Sequence, residues 1–156
     1  MRKHSGFTAF ELAVSMAIMV IIAALVLPPY LKWLRGHRLR GAVTNLMADL
    51  EMAKIKAIRE NSLVAVQFCQ DRYTIFNEDG DTNYTCVTAG REVYRNRKLP
   101  SGVEIDLAYL TFANNRTRFN GRGLPDGLTA EQIIPVKNRS SGEVITINRL
   151  GYMKLQ

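Results

Sequence analysis

At 156 residues the chain has room for one modest core beside a single membrane span, and its composition marks no second domain. Its formal charge is +7, from 21 Lys and Arg against 14 Asp and Glu. The two histidines, His4 and His37, both lie outside the C-terminal region, which excludes a histidine-based nucleophile triad or a multi-histidine metal site there.

The chain opens on a short basic leader, Met1-Arg2-Lys3-His4-Ser5-Gly6, followed by Phe7-Thr8-Ala9-Phe10-Glu11. Glu11 is the one charge at the head of an apolar run, 12–27. As a helix rising ~1.5 Å per residue, residues 7–27 would be ~30 Å long, the thickness of a hydrocarbon core. One membrane span is expected. A charge held in lipid is costly, so Glu11 needs a partner, a neutralising proton or a shallow position, and it reads as functional. An ordinary secretory signal, removed after its apolar stretch, is the competing reading. No small-x-small cleavage site precedes Pro28-Pro29, and a carboxylate is out of place in such a stretch. A plain signal anchor that never assembles is a further alternative. Flanking charge adds a conflict: Lys32, Arg35, Arg38 and Arg40 follow the span while only Arg2 and Lys3 precede it. By charge count alone, the C-terminal region would stay inside.

Pro28-Pro29 interrupts the apolar helix, and a kink is expected there rather than a stop. Leu39, Val43, Leu46, Leu50, Ala53 and Ala57 then recur at three- and four-residue spacing, the stripe of an amphipathic helix over 39–60. Met47, Ile55 and Ile58 widen it. Asp49, Glu51, Lys54, Lys56, Arg59 and Glu60 are expected on a solvated face. Beyond Asn61-Ser62 the texture changes to β-prone runs at 63–69, 73–76, 103–107, 109–113, 132–136, 144–148 and 152–155. Turn chemistry separates them, as in Asn120-Gly121-Arg122-Gly123, Pro125-Asp126-Gly127 and Ser140-Ser141-Gly142. The fold class is α+β: a long N-terminal helix, transmembrane in its inner part and amphipathic in its outer part, packed on a small antiparallel β-sheet domain. Cys69 and Cys86 flank an acidic turn. They are either a disulfide made in an oxidising compartment, adding ~3 kcal/mol in the chain-entropy model, or two unpaired, partly buried thiols.

The leader, the Gly-Phe-x-x-x-Glu spacing and the apolar helix behind it resemble the type IV pilin and type II secretion pseudopilin superfamily. The finer resemblance is to the GspH/FimT branch of minor pilins. It rests on Ala53-Lys54-Ile55-Lys56-Ala57-Ile58-Arg59-Glu60-Asn61 leading into a strand, on Phe119-Asn120-Gly121-Arg122-Gly123, and on Val144-Ile145-Thr146-Ile147-Asn148 followed by Leu150-Gly151-Tyr152. The resemblance implies a leader, 1–6, cut between Gly6 and Phe7 by a prepilin peptidase that also N-methylates Phe7. It implies a membrane and filament-core helix at 7–34 and a head domain at 35–156. Glu11 would pair with the N-terminal amine of a neighbouring subunit during assembly. The partners would be that peptidase, other pilins or pseudopilins, and the bacterial inner membrane, crossed once with the C-terminal domain periplasmic. The role implied is structural, in a type II secretion pseudopilus or a type IV pilus, and not enzymatic; cleavage would lower the formal charge from +7 to +5 by removing Arg2 and Lys3.

No spacing recommends a cofactor or a metal. Glu78-Asp79-Gly80-Asp81-Thr82-Asn83 offers oxygen ligands but lacks the ligand spacing and terminal glutamate of an EF-hand loop, so a solvated acidic turn is the better reading. Nucleic acid is the alternative partner, as in a minor pilin for DNA uptake. Some FimT-like pilins bind DNA through a basic C-terminal Gly-Arg-x-Arg segment; here that stretch is Gly151-Tyr152-Met153-Lys154, without its arginines. Arg149 and Lys154, with Arg116, Arg118, Arg122, Lys137 and Arg139, are the candidate phosphate contacts, set against dispersed solubilising charge.

Overall fold

The computed structural model describes residues 8–78, 86, 93–128 and 130–156. The chain divides into two compact units, Met1–Leu34 and Arg35–Gln156. Helix α1 runs Ala9–Glu60, with Pro28 and Pro29 inside it. In the first unit α1 is apolar on every side and exposed: an 18-residue window reaches a mean hydropathy of 2.6 with none of it buried. Among the described residues α1 alone is long and apolar enough to cross a membrane. The Tyr30 and Trp33 rings lie 6.0 Å apart near the end of the apolar stretch.

In the second unit every residue of the expected stripe, Leu39, Val43, Leu46, Leu50, Ala53 and Ala57, is buried. That stripe meets two four-stranded antiparallel sheets rather than one. The first has the order β3-β2-β1-β5, from β1 (Val64–Phe68), β2 (Arg72–Asn77), β3 (Val93–Lys98) and β5 (Arg116–Phe119). The second has the order β4-β6-β7-β8, from β4 (Val103–Ile105), β6 (Gln132–Asn138), β7 (Gly142–Ile147) and β8 (Met153–Leu155). Alternation puts Val103, Ile105, Ile134, Val136, Ile145, Ile147 and Met153 of the second sheet into the core that α1 shares. The first sheet contributes Val64, Val66, Phe68, Tyr73, Ile75 and Phe119.

Three sequence expectations are corrected. The run 109–113 is no strand: Asp106 Oδ1 accepts the Ala108 N–H at 3.3 Å, turning the chain, and Ala113–Asn115 forms a 3₁₀ turn with Asn114 and Asn115 at positive φ. The segment still runs beside β6, where Thr111 Oγ1 accepts the Ile133 N–H at 2.8 Å. Conversely, β3 and β5 lie where no strand was expected, because three basic residues in one and two in the other mask their alternation. Asp49 leaves the solvated face altogether and is buried.

Glycines let the C-terminal turns close on the helix end. Helix α1 stops at Asn61, whose left-handed φ of 46° and the bond from Ser62 N–H to Ala57 O at 3.2 Å form a C-terminal cap. The Asn120–Gly123 turn rests against it. A Cβ on Gly121 would sit 2.3 Å from Asn61 Oδ1, and one on Gly151, at φ +72°, would sit 2.9 Å from the Gly123 carbonyl. Lys54 Nζ donates to Gly151 O at 2.9 Å, tying this turn to α1. Gly151→Ala should therefore cost roughly 1–3 kcal/mol, read as a lower denaturation midpoint, since neither the φ nor a backbone carbonyl yields cheaply. Gly41→Ala, on the helix with nothing within 4 Å, should raise the midpoint by about 0.5–1 kcal/mol.

Candidate assembly site at the start of the helix

Thr8 precedes the first helical residue and Glu11 stands three positions on, the pattern of a capping box. The geometry follows it. Thr8 Oγ1 accepts the Glu11 N–H at 3.2 Å, and Glu11 Oε2 accepts both the Thr8 N–H and the Thr8 hydroxyl at 2.9 Å. Two N–H groups that a helix start leaves unpaired are thereby satisfied. The carboxylate has a second function at the same place, because negative charge is favoured at the positive end of the helix dipole. Glu11 Oε2 is thus occupied, and the residue is exposed. Ser15 Oγ donates to Glu11 O at 2.7 Å, closing the next turn.

Thr8 was absent from the sequence-based candidates, although Thr8-Ala9-Phe10-Glu11 carries the Thr-x-x-Glu signal in full. Gly6 and Phe7, the candidate processing residues, lie outside the described residues. So does the acidic turn beyond Glu78. Glu78 itself has a side chain only 7% exposed and is engaged: Arg116 Nη1 donates to its Oε1 at 2.7 Å, and Arg118 Nε is 3.6 Å from its Oε2. Among the described residues no group of three or more His, Cys, Asp or Glu is gathered to hold a metal ion.

Cys69 and Cys86 are joined as a disulfide, with Cα atoms 6.1 Å apart across a separation of 17 residues. Cys69 is buried directly after β1 and Cys86 is exposed.

Three of the candidate phosphate contacts, Arg116, Arg118 and Lys137, are paired with carboxylates. Arg116 has a side chain only 2% exposed and is held by Glu78 and by Gln67 Oε1 at 3.0 Å. Arg118 is 3.0 Å from Asp126 Oδ2. Lys137 is paired with Asp106 and lies 3.7 Å from Glu104; hydrogen bonding to Asp106 holds its ammonium above the ordinary lysine range. Arg149, in the turn closed by Asn148, and Lys154, opposite Thr146 on β8, are exposed and share no partner among the described residues.

Comparison with known proteins bears on the whole second unit. The sequence matches the family described as type II transport protein GspH over residues 42–151. Among solved structures the chain is similar to the type IV minor pilin FimU of Pseudomonas aeruginosa strain PAO1 in two crystal forms. In space group P65 the TM-score is 0.57 at 17% identity, covering 76% of this chain and 92% of that one. In space group P21 it is 0.58 at 15% identity, covering 77% and 89%. No curated protein matches significantly in sequence. At these identities the structures establish a shared fold, the α+β arrangement of a pilin, and the family match covers more than half of the chain. The chain belongs to the GspH family of type II transport proteins.

Proposed function

We propose that the chain is a membrane-anchored minor pilin or pseudopilin, made as a precursor, cut between Gly6 and Phe7, methylated on the new Phe7 amine and assembled into a short filament or its tip. The observation that carries this reading is Glu11: an exposed carboxylate capped by Thr8 at the head of the apolar stretch of α1. Before assembly that helix would lie in the inner membrane. From Ala9 to Trp33 it rises roughly 36 Å, between the ~30 Å of a hydrocarbon core and the 40–45 Å that include the headgroups. Tyr30 and Trp33 would then sit at the far interface, where amphipathic rings are favoured.

In the filament the same helix exchanges lipid for the helices of neighbouring subunits, and Glu11 receives a neighbour's Phe7 amine. A buried carboxylate and a buried ammonium are each costly alone, so pairing selects one docking register. The β-rich domain is placed in the periplasm, an oxidising compartment that suits the Cys69–Cys86 disulfide. DNA uptake is the weaker reading, because Arg116, Arg118 and Lys137 are committed to carboxylates.

Mass spectrometry of the mature protein tests the processing step. N-methyl-Phe7 is expected at the N-terminus, in protein taken from cells that hold the peptidase. An intact leader, or a start beyond Pro29, would reject it. A periplasmic reporter fused after Gln156 is expected to be active, against the simple count of flanking charge.

A further inference from the structure

Strand β3 (Val93–Lys98) is an edge of the first sheet and has the sequence Val-Tyr-Arg-Asn-Arg-Lys. Its two arginines are oriented from beneath. Asp49, with a side chain 4% exposed, accepts from Arg95 Nη1 at 2.6 Å and from Arg97 Nε at 2.8 Å. The two side chains remain 42% and 35% exposed, stand two positions apart on one face of the strand, and each guanidinium carries N–H donors beyond the one given to Asp49. Among the described residues no strand pairs with the other side of β3. Leu99 N–H bonds Asp71 O, and alternation along the ladder turns the N–H and C=O of Arg97 and Arg95 toward β2 and those of Asn96 and Lys98 away from it.

From this arrangement we infer that β3 is a docking strand for an extended acidic segment of a different protein. The segment adds to the sheet through Asn96 and Lys98 and presents carboxylates to Arg95 and Arg97. Charge complementarity selects the partner. A second copy would bring another Arg- and Lys-rich edge, and like charges opposed along a strand pair are unfavourable, so basic residues here block self-association while admitting an acidic strand. Nucleic acid is disfavoured because the strand has no open ring for bases: Lys56 Nζ lies 4.2 Å over the Tyr94 ring and Glu60 accepts the Tyr94 hydroxyl. This inference rests on the reading of the chain as a subunit that assembles with other proteins, and it is independent of how Glu11 acts.

The test uses the full chain in detergent, unassembled, so that a defect in filament formation cannot be mistaken for a defect at β3. The probe is a fluorescent peptide alternating Glu with Val and Thr, compared with its Lys-for-Glu counterpart and with an oligonucleotide of equal charge. The acidic peptide is expected to bind at low salt, to lose affinity as salt rises, and to slow hydrogen exchange at the Asn96 and Lys98 amides. Asn96→Pro removes one outward N–H while sparing the β2 ladder, and should weaken binding about three- to tenfold. Arg95→Lys with Arg97→Lys keeps the charge and the fold but not the forked donors, and should weaken binding similarly. Absence of peptide binding, binding with no protection of those two amides, or an oligonucleotide that binds more tightly than the peptide would each overturn the inference.

Discussion

Glu11→Ala should leave cleavage after Gly6 intact and lower incorporation into filaments by about tenfold or more, read as the ratio of sheared filament to membrane pool. On the proposed reading the two outcomes separate, because the peptidase would act at Gly6 and Phe7 whereas docking would use the carboxylate one turn further on. On that reading a neighbour's Phe7 ammonium would enter the helix bundle unpaired without Glu11, and the cost of an unpaired charge in a low-dielectric setting exceeds that of losing a surface ion pair. Alanine also removes the capping box, so a control must divide the two roles. Thr8→Ala takes away the hydroxyl that caps Glu11 but keeps the charge, and should cost only the loss of an N-cap, about 0.5–2 kcal/mol of helix-end stability. Its assembly defect should be the smaller one. Glu11→Asp keeps the charge on a side chain one methylene shorter and should assemble partially. Normal incorporation of both Glu11 variants would end the pairing role, whatever the state of the cap.

The parts of the fold that were legible in the sequence are those in which a single period dominates. Leu39 to Ala57 repeats at helical spacing, so its buried face could be named residue by residue. Asn120, Asn138 and Asn148 each accept backbone N–H groups from residues just downstream, and the turn-forming segments around them stood out by composition. Strands β3 and β5 were hidden because their arginines answer to carboxylates elsewhere in the chain. Arg95 and Arg97 meet Asp49, and Arg116 meets Glu78, at sequence separations of 38 or more that no local window spans. Thr8 shows the opposite case, because Thr8-Ala9-Phe10-Glu11 carries its capping signal within a single helical turn. Asp49 was legible too: it lies three residues after Leu46 and four before Ala53, on the side that the stripe buries.

Asp49→Ala should destabilise the second unit by about 3 kcal/mol, a large share of the ~5–15 kcal/mol that holds a typical domain. The carboxylate accepts the Tyr73 hydroxyl at 2.6 Å besides the two guanidinium groups, so helix α1 is joined through it to two adjacent strands, β2 and β3. Removing one partner of a buried charge cluster commonly costs ~3–5 kcal/mol. The lower end applies here, because Arg95 and Arg97 are partly exposed and can turn toward water. Tyr73 cannot turn. It is fully buried, and its hydroxyl would be left without an acceptor, a penalty of ~1–3 kcal/mol by itself. Arg95→Ala and Arg97→Ala should each cost less than Asp49→Ala, since the remaining arginine still answers the carboxylate. Burial, reinforced by Asp49, raises the Tyr73 pKa far above the ordinary phenol range, so the folded state keeps that proton while the unfolded chain loses it near pH 10. The Tyr73 contribution is complete below that pH and declines as pH rises above it. Urea denaturation at pH 7 measures the substitutions, and its repetition between pH 9 and 11 measures the titration. If Asp49→Ala shifted the midpoint by no more than a surface substitution does, the cluster would be an exposed ion pair in energetic terms, and the account of how α1 is fastened to the first sheet would fail.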